Sequence, residues 1–159
     1  MAHPNEELID RFYTAFNERD GATMAGCYAS DARFSDPVFP NLTGIEPGEM
    51  WRMLTARASD LRVELIERSA DDTAGTAHWR AWYTFSQTGR SVENDVRASF
   101  RFAEGQIAEH TDSFDFYRWA RQALGRRGVL LGWTPLVRKA VQRRARNGLD
   151  EFMESAPPD

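Results

Sequence analysis

The stretch Thr73-Ala74-Gly75-Thr76-Ala77-His78-Trp79-Arg80-Ala81-Trp82-Tyr83-Thr84-Phe85-Ser86-Gln87 decides the fold. Trp79, Ala81, Tyr83 and Phe85 alternate with His78, Arg80, Trp82 and Thr84, and a period of two places the sets on opposite faces of a strand. Thr88-Gly89 supplies a hairpin turn. Beyond it Val92, Asn94, Val96, Ala98, Phe100 and Phe102 form one face of a second strand, against Glu93, Asp95, Arg97, Ser99 and Arg101. Glu104-Gly105 turns the chain into a third strand, Gln106 to Phe114, where Ala108, His110, Asp112 and Phe114 share a face. Leu61 to Ser69 alternates in the same way before these three.

Outside this block the period is helical. From Asn5 to Glu18 the residues Leu8, Ile9, Phe12 and Phe16 recur at helix spacing, Glu6 and Glu7 suit the N-terminal dipole, and Asp20-Gly21 stops the helix. A short helix over about Ala22 to Tyr28, a strand over Ala32 to Asp36 ended by Pro37 and Pro40, and a helix over Glu46 to Arg57 follow. After Asp115, Phe116, Trp119, Ala123 and Leu124 return to helical spacing, ending near Gly125. Thr134-Pro135 is an N-cap followed by proline at the first helical position, so a last helix is expected to about Met153. Helices segregated from antiparallel hairpins indicate an α+β fold. No repeat or linker divides the chain. One domain over 1–159 is expected, with a core of about 5–119 and a C-terminal helical extension of about 120–155.

The 159 residues suffice for one core, since folding at this size buries roughly 70% of the unfolded surface. The net charge of −4 gives the molecule as a whole no attraction to nucleic acid or to an acidic membrane, and neither is expected as a partner. Arg126, Arg127, Arg138, Lys139, Arg143, Arg144 and Arg146 read as a solvated basic helix face. Cys27 stands alone, which excludes an intrachain disulfide and a multi-cysteine metal site. The first residues carry neither the basic nor the apolar region of a signal peptide, and no stretch approaches the roughly 20 apolar residues that cross a bilayer. A cytoplasmic location is the expectation.

Two stretches, Phe12-Tyr13-Thr14-Ala15-Phe16-Asn17-Glu18-Arg19-Asp20 and Tyr28-Ala29-Ser30-Asp31-Ala32-Arg33-Phe34-Ser35-Asp36-Pro37, resemble the opening of nuclear-transport-factor-2-like proteins. The Thr88-Gly89-Arg90 hairpin and the ending His110-Thr111-Asp112-Ser113-Phe114-Asp115 are similar too, and Gln122-Ala123-Leu124-Gly125 resembles the cyclase-like members. That superfamily includes ketosteroid isomerase, limonene-epoxide hydrolase and polyketide cyclases of the SnoaL type. The resemblance implies a strongly curved antiparallel sheet, folded as a cone (the cystatin-like architecture) around an apolar pocket and capped by the N-terminal helices. It also implies a small apolar, carbonyl-bearing molecule in that pocket and proton transfer without a cofactor. A binder without turnover and a protein-interaction module are the alternatives.

On this resemblance Asp36 stands where ketosteroid isomerase carries its proton-moving carboxylate, a residue whose basicity an apolar pocket raises. The isomerase's oxyanion donors find no match: its tyrosine falls on Phe12, with Tyr13 on a different face, and its protonated aspartate on Ala98. Asp112 matches the last carboxylate of limonene-epoxide hydrolase, but that enzyme's Arg-x-Asp pair falls on Trp79 and Ala81, or on Arg80 and Trp82. His110 and Asp112, two apart on one strand, are candidates for an acid–base unit or for a buried polar pair. Asp36, His110 and Asp112 are thus the candidate catalytic residues. Phe12, Phe16, Phe34, Trp51, Trp79, Tyr83, Asn94, Phe100 and Phe114 are the candidate lining of the pocket. No metal is expected, since His3 and His78 are poorly placed to complete a ligand set. Trp82 on the outer face, costly if exposed, suggests a homodimer through that face.

Overall fold

The computed structural model describes residues 1–155. In chain order the elements are α1 (Pro4–Asn17), α2 (Gly21–Gly26), β1 (Tyr28–Ser35), β2 (Leu42–Thr43), α3 (Glu46–Arg57), β3 (Arg62–Ala70), β4 (Ala74–Phe85), β5 (Arg90–Ala103), β6 (Gln106–Ser113), α4 (Phe116–Leu124), α5 (Arg126–Leu131) and α6 (Pro135–Ser155). The strands form one curved, open sheet in the order β2-β1-β6-β5-β4-β3. β3 to β6 are joined antiparallel, as the short turns between them require, with Trp79 opposite Val96 and Phe100 opposite His110. β1 adds to β6 in parallel, with Phe34 opposite His110, so the sheet is mixed at this edge. Alternation shows which residues share a face; it carries no information on strand direction.

The concave face is dry because the apolar set of each strand points there. Ala77, Trp79 and Ala81, Val96, Ala98 and Phe100, and Ile107 are buried. α1 covers this face with Leu8, Ile9, Phe12, Tyr13 and Phe16. His3 caps α1, its Nδ1 accepting from the Asn5 amide at 3.0 Å. Arg68 on β3 pins the helix by pairing with Glu6 and Asp10. α3 closes another side with Met50, Trp51 and Met53. The convex face is a polar network in which Asp95 bonds His78 at 3.0 Å and Arg80 at 2.6 Å. There the Arg62 guanidinium lies 4.2 Å from the Trp82 ring, covering part of the indole.

Three local features depart from the reading of the sequence. Tyr28 opens β1 instead of ending α2, because the six-residue helix stops at Gly26 and Cys27 O accepts from Ile107 N at 2.9 Å. So short a helix is weak, and sheet pairing captures the backbone. α5 was not expected, since six residues give no period to read. It follows α4 through Gly125, whose φ of 65° suits glycine, and it lies so close to α4 that a Cβ on Gly128 would sit 1.9 Å from Ala120 O. α6 reaches back onto the main core, where Leu149 is fully buried with Ala145, Phe152 and Met153 packed beside it. Its Arg146 pairs with Glu46 of α3 and with Asp150.

Candidate functional site

Four residues from three elements form a buried chain of hydrogen bonds at the floor of the concave face. Trp51 Nε1 on α3 donates to Tyr28 Oη on β1 at 2.8 Å. Tyr28 Oη is 2.7 Å from His110 Nδ1, and His110 Nε2 is 2.8 Å from an Asp112 carboxylate oxygen, both on β6. An indole N–H only donates and an ionised carboxylate only accepts, so for a neutral imidazole the order follows. Tyr28 donates to Nδ1, and Nε2–H donates to Asp112. Phe34 and Phe100 flank the imidazole, with ring centroids 4.9 Å and 4.4 Å away. His110 thus spends both nitrogens inside the protein, leaving Asp112 as the group it orients. Burial pushes the Tyr28 phenol well above its ordinary pKa, so it remains a donor.

Asp36 sits one step beyond the end of β1, level with Asp112 by the parallel register that pairs Ser35 with Thr111. Its Oδ1 accepts from the amides of Val38 at 2.7 Å and Phe39 at 2.6 Å, the turn-capping role aspartate often plays. Part of the residue reaches solvent, yet the carboxyl is surrounded by protein, and desolvation raises its pKa from 3.8 to about 6. The two amide bonds oppose that rise; the charge of Asp112 adds to it. Among the described residues, the second oxygen of Asp36 makes no hydrogen bond.

Tyr83 on β4 lies close enough for the charge of Asp36 to act on it. Burial, with that charge as a lesser cause, pushes its phenol up to about 12. Trp119 Nε1 on α4 donates to Tyr83 Oη at 2.9 Å. The hydroxyl proton of Tyr83 has no acceptor among the described residues. Val38, Tyr83, Phe85 and Phe114, each partly buried, pack with Phe116 and Trp119 around this end of the sheet. α6 ties down the Asp36 turn through Gln142 Nε2 to Pro37 O at 2.9 Å.

Residues 9–110 match the SnoaL-like domain family. The chain belongs to that family. No protein of curated function matches it in sequence. Among solved structures it is similar to a nuclear-transport-factor-2-like protein of unknown function from Burkholderia pseudomallei, at 19% identity and a TM-score of 0.66, over 76% of this chain and 97% of the other. It is likewise similar to a proposed polyketide cyclase from Xanthomonas campestris, at 21% identity and a TM-score of 0.64, over 75% and 96%. A third is an LEH-like epoxide hydrolase from M. tuberculosis, at 19% identity and 0.63, over 80% and 92%. These likenesses establish the nuclear-transport-factor-2-like fold.

The family match stops at His110, so Asp112 and the helices α4 to α6 of this SnoaL-like protein lie beyond it. Of the expected lining, Phe12, Phe16, Phe34, Trp51, Trp79 and Phe100 are buried and pack on one another. Tyr83 and Phe114 stand partly open at the end described above. Asn94 instead borders a hollow of about 450 Å³ with Asp95, Arg97 and Arg118. A second hollow, about 340 Å³, lies between the Asp36 turn and α6. Neither is lined by Asp36, His110 or Asp112.

Sequence reasoning missed Tyr28, Tyr13 and Trp119. Tyr13 is buried like its neighbour Phe12, and its hydroxyl and the Trp79 indole N–H have no hydrogen-bond partner among the described residues. His3 and His78 are taken by Asp72 and Asp95. Among the described residues no three His, Cys, Asp or Glu side chains converge. Asp115 caps α4 through the Arg118 amide at 3.0 Å, leaving Asp112 as the late-strand carboxylate of the interior. The Cys27 thiol donates to Thr23 O, and burial raises its pKa, so it is a packed apolar residue in its chemistry.

Proposed function

We propose that this SnoaL-like protein binds a small apolar, carbonyl-bearing molecule at the end of the cone and moves a proton on it. Asp36 is the base and Tyr83 the hydrogen-bond donor to the carbonyl oxygen. The observation that carries the reading is the Tyr83 hydroxyl held by Trp119 at the end of the sheet where the charge of Asp36 acts on it. A carboxylate held by one oxygen, with a pKa of about 6, is ionised yet basic near neutral pH. A phenol that accepts from an indole and keeps its own proton is oriented toward whatever oxygen takes that proton. Proton abstraction beside a carbonyl needs both groups, since charge develops on the oxygen as the C–H bond breaks. Tyr83 therefore supplies a donor where Phe12 and Ala98 offer none.

Desolvation, with the charge of Asp112 as a lesser cause and His110 opposing it, keeps Asp36 basic, and neither His110 nitrogen is left for a substrate. Tyr13 Oη and Trp79 Nε1, unpaired and buried, favour a polar group of the ligand reaching inward. A binder without turnover shares this pocket, and the packing of the deeper aromatics favours a shallow ligand in either case.

Chemical-shift mapping with 2-tetralone, an apolar ketone, tests the binding half. The expected result is movement of the Trp119 indole N–H and the Val38 methyl signals, with the Trp82 indole unmoved. Saturable movement confined to Trp82 would place the ligand on the outer face and reject the reading.

A further inference from the structure

Five of the eight large apolar side chains that the described residues leave exposed fall within one short segment. Val129, Leu130, Leu131, Trp133 and Leu136 are 51% to 80% exposed, on α5, the turn after it and the first turn of α6. Scattered apolar residues on a surface need no explanation; five within eight positions do.

The charge around this tip is one-sided. Residues 116–149 hold nine of the twenty Lys and Arg residues and none of the twenty-four Asp and Glu. Arg126 and Arg127 on α5 and Arg138 and Lys139 on α6 flank the tip, all exposed. The net charge of −4 conceals a strongly basic end on an otherwise acidic molecule.

A third feature concerns the backbone. The last four carbonyls of a helix have no partner within it, and in apolar surroundings each unpaired one is costly. In α5 all four are bonded within the protein. Gly128 O accepts from Gly132 N at 2.9 Å, and Val129 O from the Tyr117 hydroxyl at 2.9 Å. Leu130 O accepts from the Trp133 indole N–H at 3.2 Å. Leu131 O accepts from the Thr134 amide at 2.9 Å and hydroxyl at 2.6 Å. The Trp133 side chain, otherwise the most polar part of the tip, has thereby spent its only donor. A tip whose helix carbonyls and indole are already satisfied can leave water at low cost.

From the apolar tip, its basic flanks and its satisfied carbonyls, we infer that the segment Val129–Leu136 docks the protein on anionic lipid bilayers. The side chains of Leu130, Trp133 and Leu136 enter the headgroup boundary, and the arginines and Lys139 lie against acidic headgroups. No described helix is long and apolar enough to cross a membrane, so the attachment is peripheral and reversible. Charge complementarity selects an acidic lipid surface over a second copy of this chain, whose own tip would carry the same positive charge. The inference stands on these observations alone and does not depend on the acid–base reading.

Flotation with vesicles tests it, using phosphatidylcholine alone or with about one third phosphatidylglycerol. The protein is expected to float with the acidic vesicles and to be released in part by high salt. Trp133→Ala should weaken binding roughly tenfold by removing buried apolar area. Arg126→Ala with Arg127→Ala should weaken it by about tenfold or more and erase the preference for acidic lipid. Quenching of wild-type tryptophan fluorescence by brominated lipid reads insertion without relying on any variant. Absence of flotation with acidic vesicles, or binding unchanged in both variants, overturns the inference. So does sedimentation showing a dimer that Leu130→Glu dissolves, which would assign the tip to a second copy of the chain.

Discussion

Trp119 on α4 donates its indole N–H to the hydroxyl of Tyr83 on β4 across 2.9 Å, so a helix that follows the sheet in sequence orients a phenol within it. With its oxygen accepting from Trp119, the Tyr83 hydroxyl keeps its own proton to donate, and the charge of Asp36 acts on it. Asp36 and Tyr83 come from the turn after β1 and from β4, strands separated in the sheet by β6 and β5. The C-terminal helices bring them under a common cover.

Tyr83→Phe removes only the hydroxyl. Turnover of a ketone substrate is expected to fall about a hundredfold, within the range found for loss of one oxyanion donor, with KM little changed. Steady-state kinetics on the folded variant decide it, and an unchanged kcat would remove Tyr83 from the chemistry.

Asp36→Asn keeps an oxygen for the Val38 and Phe39 amides while deleting the charge. A carboxyl whose pKa rises from 3.8 unfolded to about 6 folded favours the native state when protonated. The stability this contributes is full below about pH 3.8 and lost as pH rises through about 6. The variant should therefore be more stable than wild type at pH 8, by about 1–2 kcal/mol after allowance for partial exposure, and nearly equal to it at pH 4. Urea titrations at the two pH values measure this; a variant less stable at pH 8 would contradict the assigned environment.

Tyr28→Phe breaks the buried chain in the middle. Trp51 Nε1 loses its acceptor and His110 Nδ1 its donor in dry surroundings, which costs about 2–4 kcal/mol. Equilibrium unfolding should show this loss without a change in m-value.

Leu149→Ala tests whether α6 belongs to the core. Full burial of Leu149 predicts a loss of about 2–4 kcal/mol, read by the same unfolding experiment. A loss below about 0.5 kcal/mol, the range of surface substitutions, would mean that α6 is only loosely attached.

Much of the fold was legible because alternation is a strong signal over long strands. Trp79 to Phe85 and Val92 to Phe102 present the face their spacing assigns, as do His110 and Asp112, whereas a register shift between β5 and β6 buries Ile107 in place of Ala108; α3 spans Glu46–Arg57 as expected. The parallel joining of β1 was hidden, since direction is decided by what the chain does between strands. Tyr28 was misplaced for the same reason: its helical neighbours were read locally, whereas its partners Trp51 and His110 lie 23 and 82 positions away. The proximity of His110 and Asp112 followed from period two. What period two could not tell is that both His110 nitrogens are consumed within the protein. The basic face was legible as charge, but the exposed apolar residues beside it were not, because six residues of α5 give no face to read.

The most direct test of the central claim follows the exchange of α-protons of 2-tetralone into deuterated water by NMR, with wild-type protein and with Asp36→Asn, across pH. The account predicts exchange faster than in buffer, rising with pH through an apparent pKa of about 6 and absent in Asp36→Asn. Exchange at the buffer rate with the wild-type protein, or a rate that survives loss of the Asp36 carboxylate, would contradict it.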